Sequence, residues 1–166
     1  MKPIFFIGFM GVGKTTIGKR LSEVIQLPVI DMDQYIEEKE KQSIKEIFDQ
    51  KGEAYFRDLE TKALNELLVE EGIITTGGGV IEREENRKLL AGNPLVVHLT
   101  CPFDVLWGRL HGDENRPLVK KNSQENLRAL YNRRIPFYTE SSMIEIDTKD
   151  KTVETIVEEI LLQLNP

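Results

Sequence analysis

The sequence predicts an α/β fold of three layers, a mainly parallel sheet with helices on both faces. Three observations carry that prediction. Apolar strand-like runs alternate with amphipathic helical stretches from one end of the chain to the other. The first run, Pro3-Ile4-Phe5-Phe6-Ile7, is apolar at every position, as a strand buried on both faces requires. It opens into Gly8-Phe9-Met10-Gly11-Val12-Gly13-Lys14-Thr15, which fits the phosphate-binding pattern Gly-x-x-x-x-Gly-Lys-[Ser/Thr] between a strand and a helix.

Each residue type in that loop has a chemical reason. Glycines let successive backbone N–H groups turn inward onto a phosphate, and Lys14 brings a mobile positive charge to the outer phosphate oxygens. The Thr15 hydroxyl suits Mg²⁺. Ile17, Leu21, Val24 and Ile25 then follow at helical spacing. The free N–H groups at the start of that helix face the same anion.

Composition bounds the remainder. The chain has 166 residues, 40% hydrophobic and 30% charged, which suits one domain with a hydrophobic core, residues 1–166. A net charge of −6 argues against broad binding to nucleic acid or an anionic membrane surface. The single cysteine, Cys101, excludes an internal disulfide, suits a reducing cytoplasm and reads as a small core residue. The apolar start is expected to be a strand and not a leader, because it runs straight into the glycine loop.

Pro28-Val29-Ile30 reads as the second strand and ends in Asp31-Met32-Asp33. In extended backbone, residues two apart point the same way, so both aspartates can face the phosphate site. The alternative is that Asp33 caps a helix over 34–41. Ser43 to Glu46 spells a capping box before a short helix that Gly52 ends, with a longer helix over about 53–70. Arg57 and Glu60, three apart on it, can pair.

Gly72 to Thr76 reads as the third strand, opening into Gly77-Gly78-Gly79, where a ligand or another group can approach the backbone closely. The stretch 82–91 reads as a polar, exposed helix without a catalytic role. Pro94 to Leu99 is the fourth strand, with His98 expected to be a hydrogen-bonded core or sheet-face histidine. Pro102 begins a helix carrying Arg109. Residues 111–122, charged and without apolar period, read as a lid that delivers Arg116. A helix from Ser123 is expected to stop before Pro136. Residues 143–147 alternate as an outer strand, and the last helix presents Val153, Ile156, Val157, Ile160, Leu161 and Leu164 on one face.

These pieces amount to a small kinase that transfers a phosphoryl group from a nucleotide to a small acceptor. A GTPase reading fails, since Asp49-Gln50-Lys51-Gly52 falls in a helical region and no Asn-Lys-x-Asp is present. A homologue that only binds nucleotide should have lost a phosphate, metal or acceptor residue, and none is lost. Gluconate and nucleoside monophosphates stay open as acceptors at this point.

The ordered set Asp31-Met32-Asp33, Phe56-Arg57…Glu60, Gly77-Gly78-Gly79, Arg116-Pro117-Leu118 and Arg134-Ile135-Pro136-Phe137-Tyr138, together with the phosphate loop, resembles the shikimate kinases over nearly the whole chain. Met32, Ile135, Phe137 and the Lys14-Thr15-Thr16 sequence depart from the usual pattern without removing a functional group.

The resemblance implies a five-stranded parallel sheet of order 2-3-1-4-5 and ATP-dependent phosphorylation of the shikimate 3-hydroxyl. It implies that Gly11, Val12, Gly13, Lys14, Thr15 and Thr16 hold the ATP phosphates and that Arg109 lies near the adenine, with the turn after Asp147 completing that site. Arg116 would reach the transferring group. Mg²⁺ would be bound by Thr15 directly and by Asp31 through water. In the acceptor region, about 33–61, Asp33 would take the substrate hydroxyls, with Ile44, Phe48 and Phe56 as walls. Arg57 and Arg134 would hold the carboxylate, Glu60 would orient Arg57, and Gly78 and Gly79 would give close backbone contacts. Lys14, Asp33 and Arg116 would be the catalytic set. A cytoplasmic monomer without nucleic-acid or membrane partners is the family expectation.

Overall fold

The computed structural model describes residues 2–92, 95–110 and 123–165. Among these, five strands form one parallel sheet: β1 (Ile4–Ile7), β2 (Val29–Asp31), β3 (Ile73–Thr75), β4 (Val96–Thr100) and β5 (Ile144–Asp147). Their order is β2-β3-β1-β4-β5, as expected. All four residues of β1 are at most 1% exposed, so the apolar run is buried on both faces. β5, at the edge, alternates buried and exposed residues, because only one of its faces is covered.

Chain order and sheet order together position the site. From β1 the chain builds β2 and β3 on one side, then crosses to β4 and β5 on the other. Segments leaving the carboxyl ends of β1, β2 and β3 therefore converge in one crevice, where open α/β sheets bind ligands. Registers Phe6↔Thr75 and Asp31↔Thr75 bring those three ends level.

The helices are α1 (Lys14–Ile25), α2 (Met32–Glu40), α3 (Ile44–Leu67), α4 (Glu84–Ala91), α5 (Phe103–Leu110), α6 (Gln124–Ser141) and α7 (Val153–Leu164). α1 and α7 pack together, and α7 seals β5 with Ile156, Val157 and Ile160. Elsewhere α4 and α5 both lie against α6, which in turn touches β4.

Local expectations are corrected at several points. The helix after β2 starts at Met32, so Asp31 is the capping residue, its carboxylate taking the Gln34 N–H at 3.0 Å. Asp33 thus sits in the first helical turn and not on an extended strand. The expected break at Gly52 is present: its φ of 85° and ψ of 172° are not helical, so α3 is a short helix and a longer one meeting across a kink. The Ser43 hydroxyl accepts the Glu46 N–H, but it is Glu37 from α2 whose carboxylate takes the next donor, Ile44 N–H.

Helix α6 runs through Pro136 to Ser141. Proline costs a helix a backbone bond, about 3 kcal/mol in an exposed interior. Here Leu127, Arg134, Tyr138 and Ser141 are all buried along one side, and that packing overrides the local preference.

Cys101 is buried, as expected. His98 is buried, and among the described residues neither ring nitrogen has a hydrogen-bond partner. Its ring lies 5.0 Å from that of Tyr138 and 3.8 Å from the Glu145 carboxylate. Burial pushes its pKa down to about 4 despite Glu145, so it is a neutral packing residue near pH 7.

Candidate active site

The phosphate loop joins β1 to α1. Gly13, directly before the helix, has φ 106°, a conformation that a side chain resists. Its geometry leaves the first N–H groups of α1 open, with no side-chain cap over them. Lys14 folds back over the loop, its Nζ donating to the carbonyls of Gly8 at 2.5 Å and Phe9 at 3.2 Å. Thr15 and Thr16 are exposed in the first turn. Arg109 reaches from α5 to the Gly11 carbonyl at 3.3 Å, so it lies over the loop. Arg116 and the segment 111–122 fall outside the described residues.

Asp31 is fixed from two sides. One carboxylate oxygen caps α2, and the other accepts the Thr75 hydroxyl at 3.1 Å. Thr15 offers an exposed hydroxyl in the first turn of α1, and together with the Asp31 carboxylate it makes a donor pair whose chemistry fits a hydrated Mg²⁺ carried in with a nucleotide. No group of three or more His, Cys, Asp or Glu able to hold a metal occurs among the described residues. The chain's own ligands would supply only part of a coordination shell.

On the other side of the crevice, two arginines meet three glycines. Arg57 donates to Glu60 at 2.9 Å and to Glu53 at 3.3 Å, with only 12% of its side chain exposed. Burial works against its charge, but the two carboxylates outweigh that and hold its pKa above the ordinary value. Glu60 is 1% exposed, inside the apolar stripe of Phe56, Ala63, Leu64 and Leu67. Burial pushes its pKa up to about 7, against the pull of Arg57.

Arg134, also buried, comes from α6, one turn before Tyr138, whose hydroxyl donates to the Gly78 carbonyl at 2.5 Å. The glycines are absent side chains in the literal sense. A Cβ on Gly79 would lie 2.4 Å from an Arg57 nitrogen, and one on Gly78 would lie 3.4 Å from Arg134. Gly79→Ala is therefore expected to displace the flexible Arg57 fork and raise the KM for the acceptor about tenfold, with the KM for ATP unchanged. Steady-state kinetics in both substrates checks this, and an unchanged acceptor KM would refute it.

Asp33 lies between the two halves. It is half-buried, its Oδ1 wholly so and without a hydrogen-bond partner. Burial first, then the Asp31 charge, raises its pKa to about 6, while Lys14 and Arg57 pull the other way. An acid poised there is a fit proton acceptor near neutral pH.

Among the described residues, Arg57 Nε, Glu60 Oε2, Arg134 Nε and Glu82 Oε1 are likewise buried without hydrogen bonds. Buried polar atoms left unpaired cost about 1–3 kcal/mol each, so their presence marks a place prepared for a ligand.

Asp31, Asp33, Arg57, Gly78, Gly79, Arg134 and the phosphate loop are thus brought into one crevice. Glu82, passed over as part of an exposed helix, was missed. It precedes α4 and its carboxylate pairs with Arg133 and Arg134. Its position three residues after the glycines was the available signal.

Comparison with known proteins agrees. A family model described as "Shikimate kinase" matches residues 10–165. A shikimate kinase of Bacillus cytotoxicus is 46% identical over 99% of both chains. A solved structure of Acinetobacter baumannii shikimate kinase in complex with shikimate superposes with a TM-score of 0.91 at 36% identity, covering 99% of this chain and 93% of that one. A gluconokinase from Sinorhizobium meliloti, at 18% identity and a TM-score of 0.56 over 98% of this chain and 90% of that one, shares the fold alone.

Proposed function

The chain belongs to the shikimate kinase family, and from that premise we propose how its residues divide the work of the reaction. The activity is transfer of the terminal phosphoryl group of ATP to the 3-hydroxyl of shikimate, giving shikimate 3-phosphate and ADP on the route to the aromatic amino acids. The observation that carries the residue assignment is the convergence of Arg57, Arg134 and Asp33 on the triple glycine beside the phosphate loop.

Gly11 to Thr16 cradle the ATP phosphates, with Arg109 above them toward the adenine. Arg57 and Arg134 fork the shikimate carboxylate, a planar anion matched to guanidinium geometry. Glu60 orients Arg57. Gly78 and Gly79 let the substrate ring approach the backbone. Asp33 accepts hydrogen bonds from the substrate hydroxyls and takes the proton of the attacking one. Lys14 neutralises charge on the transferring group, and Arg116 joins it from the lid at 111–122.

Mg²⁺, when bound with ATP, supplies charge neutralisation at the phosphates. Thr15 would hold it directly, and the Asp31 carboxylate, which already accepts from Gln34 and Thr75, would hold it through water. Among the described residues no helix is long and apolar enough to cross a membrane. We propose a cytoplasmic monomer of one domain.

An ADP-release assay offering shikimate, gluconate, AMP and CMP separately tests the acceptor. Turnover is expected with shikimate alone and should vanish when a chelator removes Mg²⁺. Turnover with gluconate or AMP but not shikimate would overturn the reading.

A further inference from the structure

We infer that Glu82 is the positioning residue for the Arg134 guanidinium, and through it for the substrate carboxylate. The inference rests on the reading that Arg134 holds that carboxylate. Arg57 has a dedicated buried partner in Glu60, and Arg134 has a counterpart. Among the described residues Glu82 is the carboxylate paired with it, Oε2 to a guanidinium nitrogen at 3.7 Å. The same oxygen takes Arg133 at 2.8 Å.

The backbone that carries Glu82 is held unusually well. Its N–H donates to the Gly79 carbonyl at 3.0 Å, closing a turn directly on the triple glycine. The Arg87 guanidinium donates to the carbonyls of Ile81 at 2.8 Å and Glu82 at 3.0 Å, and the Asn86 amide donates to Val80 at 3.0 Å. One rigid turn thus presents both the glycine contacts and the carboxylate.

Stability does not account for this placement. Arg133 is 56% exposed, and an ion pair with so wet a partner contributes little. Only 15% of the Glu82 side chain is exposed, and its Oε1 is buried without a hydrogen bond. That arrangement costs desolvation which the Arg133 contact alone does not repay. Its return is orientation. Arg133 tethers Glu82 from the solvent side, and the Glu82 charge restrains one edge of the Arg134 fork. The other edge is left facing Gly78, where a carboxylate can dock.

The test is a double-mutant cycle of Glu82→Gln and Arg134→Lys, with kcat and the KM for shikimate and for ATP measured at each corner. Glu82→Gln is expected to raise the shikimate KM about five- to tenfold, leaving kcat and the ATP KM within about twofold. In the Arg134→Lys background the same change should have almost no further effect. Glu82→Asp keeps the charge and should recover part of the loss, and it serves as the single variant should Glu82→Gln not fold. An unchanged shikimate KM, a loss in kcat instead, or the same loss with Arg134→Lys present would overturn the role of Glu82. If Arg134→Lys itself leaves the shikimate KM unchanged, the assignment of Arg134 to the carboxylate fails instead, so the two failures are distinguishable.

Discussion

Replacing Asp33 by Asn is expected to lower kcat at least about a hundredfold, the usual scale for losing a positioned proton acceptor. Binding of shikimate should suffer less, because the amide still accepts hydrogen bonds through its oxygen. In the wild-type enzyme the carboxyl titrates near 6, so kcat/KM should fall below that pH as Asp33 becomes protonated, and the Asn variant should lack that limb.

The stability effect has the opposite sign. A carboxyl whose pKa is raised on folding takes up a proton more readily in the native state, so native stability falls as pH rises from about 4 to about 6. Asp33→Asn removes that penalty, and its thermal midpoint at pH 7 should rise while activity is lost. A variant that keeps near-normal turnover would remove the proton-acceptor role, since a loose phosphoryl transition state can proceed without a strong base.

Lys14→Met is the second large effect: kcat should drop about a thousandfold through loss of charge stabilisation on the transferring group. The side chain keeps an unbranched apolar body and loses only its charged end, so the fold should survive, and circular dichroism can verify this. A more discriminating readout is available in the residual activity. Lys14 lowers the Asp33 pKa, so removing its charge should shift the acid limb of the pH profile above 6. An unshifted limb would mean that Lys14 and Asp33 do not act in the same crevice.

Local chemistry made several parts of this site readable. The glycine loop is recognisable because its function needs a contiguous backbone shape, and contiguity survives in sequence. Arg57 and Glu60 are three apart on a helix, so their pairing follows from helical spacing. The triple glycine signalled close approach, but not what approaches. The answer is Arg57, Asp33 and Arg134, which come from three different helices, α3, α2 and α6.

Where reading one segment at a time failed, a neighbour had intervened. Asp31 caps α2 because Thr75 of the adjacent strand also holds its carboxylate. Helix α6 passes Pro136 because Arg134 and Tyr138 are buried on the same side as Leu127. His98 is a neutral packing residue because burial beside Tyr138 disfavours its charge. Glu82 looked like an ordinary surface charge until Arg133 and Arg134 were placed beside it.

By itself, then, the sequence determined the α/β alternation, the phosphate loop and the residue types proposed to meet ATP and shikimate, since strand burial, helical period and loop shape are properties of short stretches. Tertiary structure alone decided the protonation of Asp33, Glu60 and His98 and the partners of Arg133 and Arg134. Desolvation and charge pairing depend on groups brought together from distant parts of the chain. The loop at Gly8 to Thr15 could announce a phosphate; only the packed crevice could set the acid beside it near neutral pH.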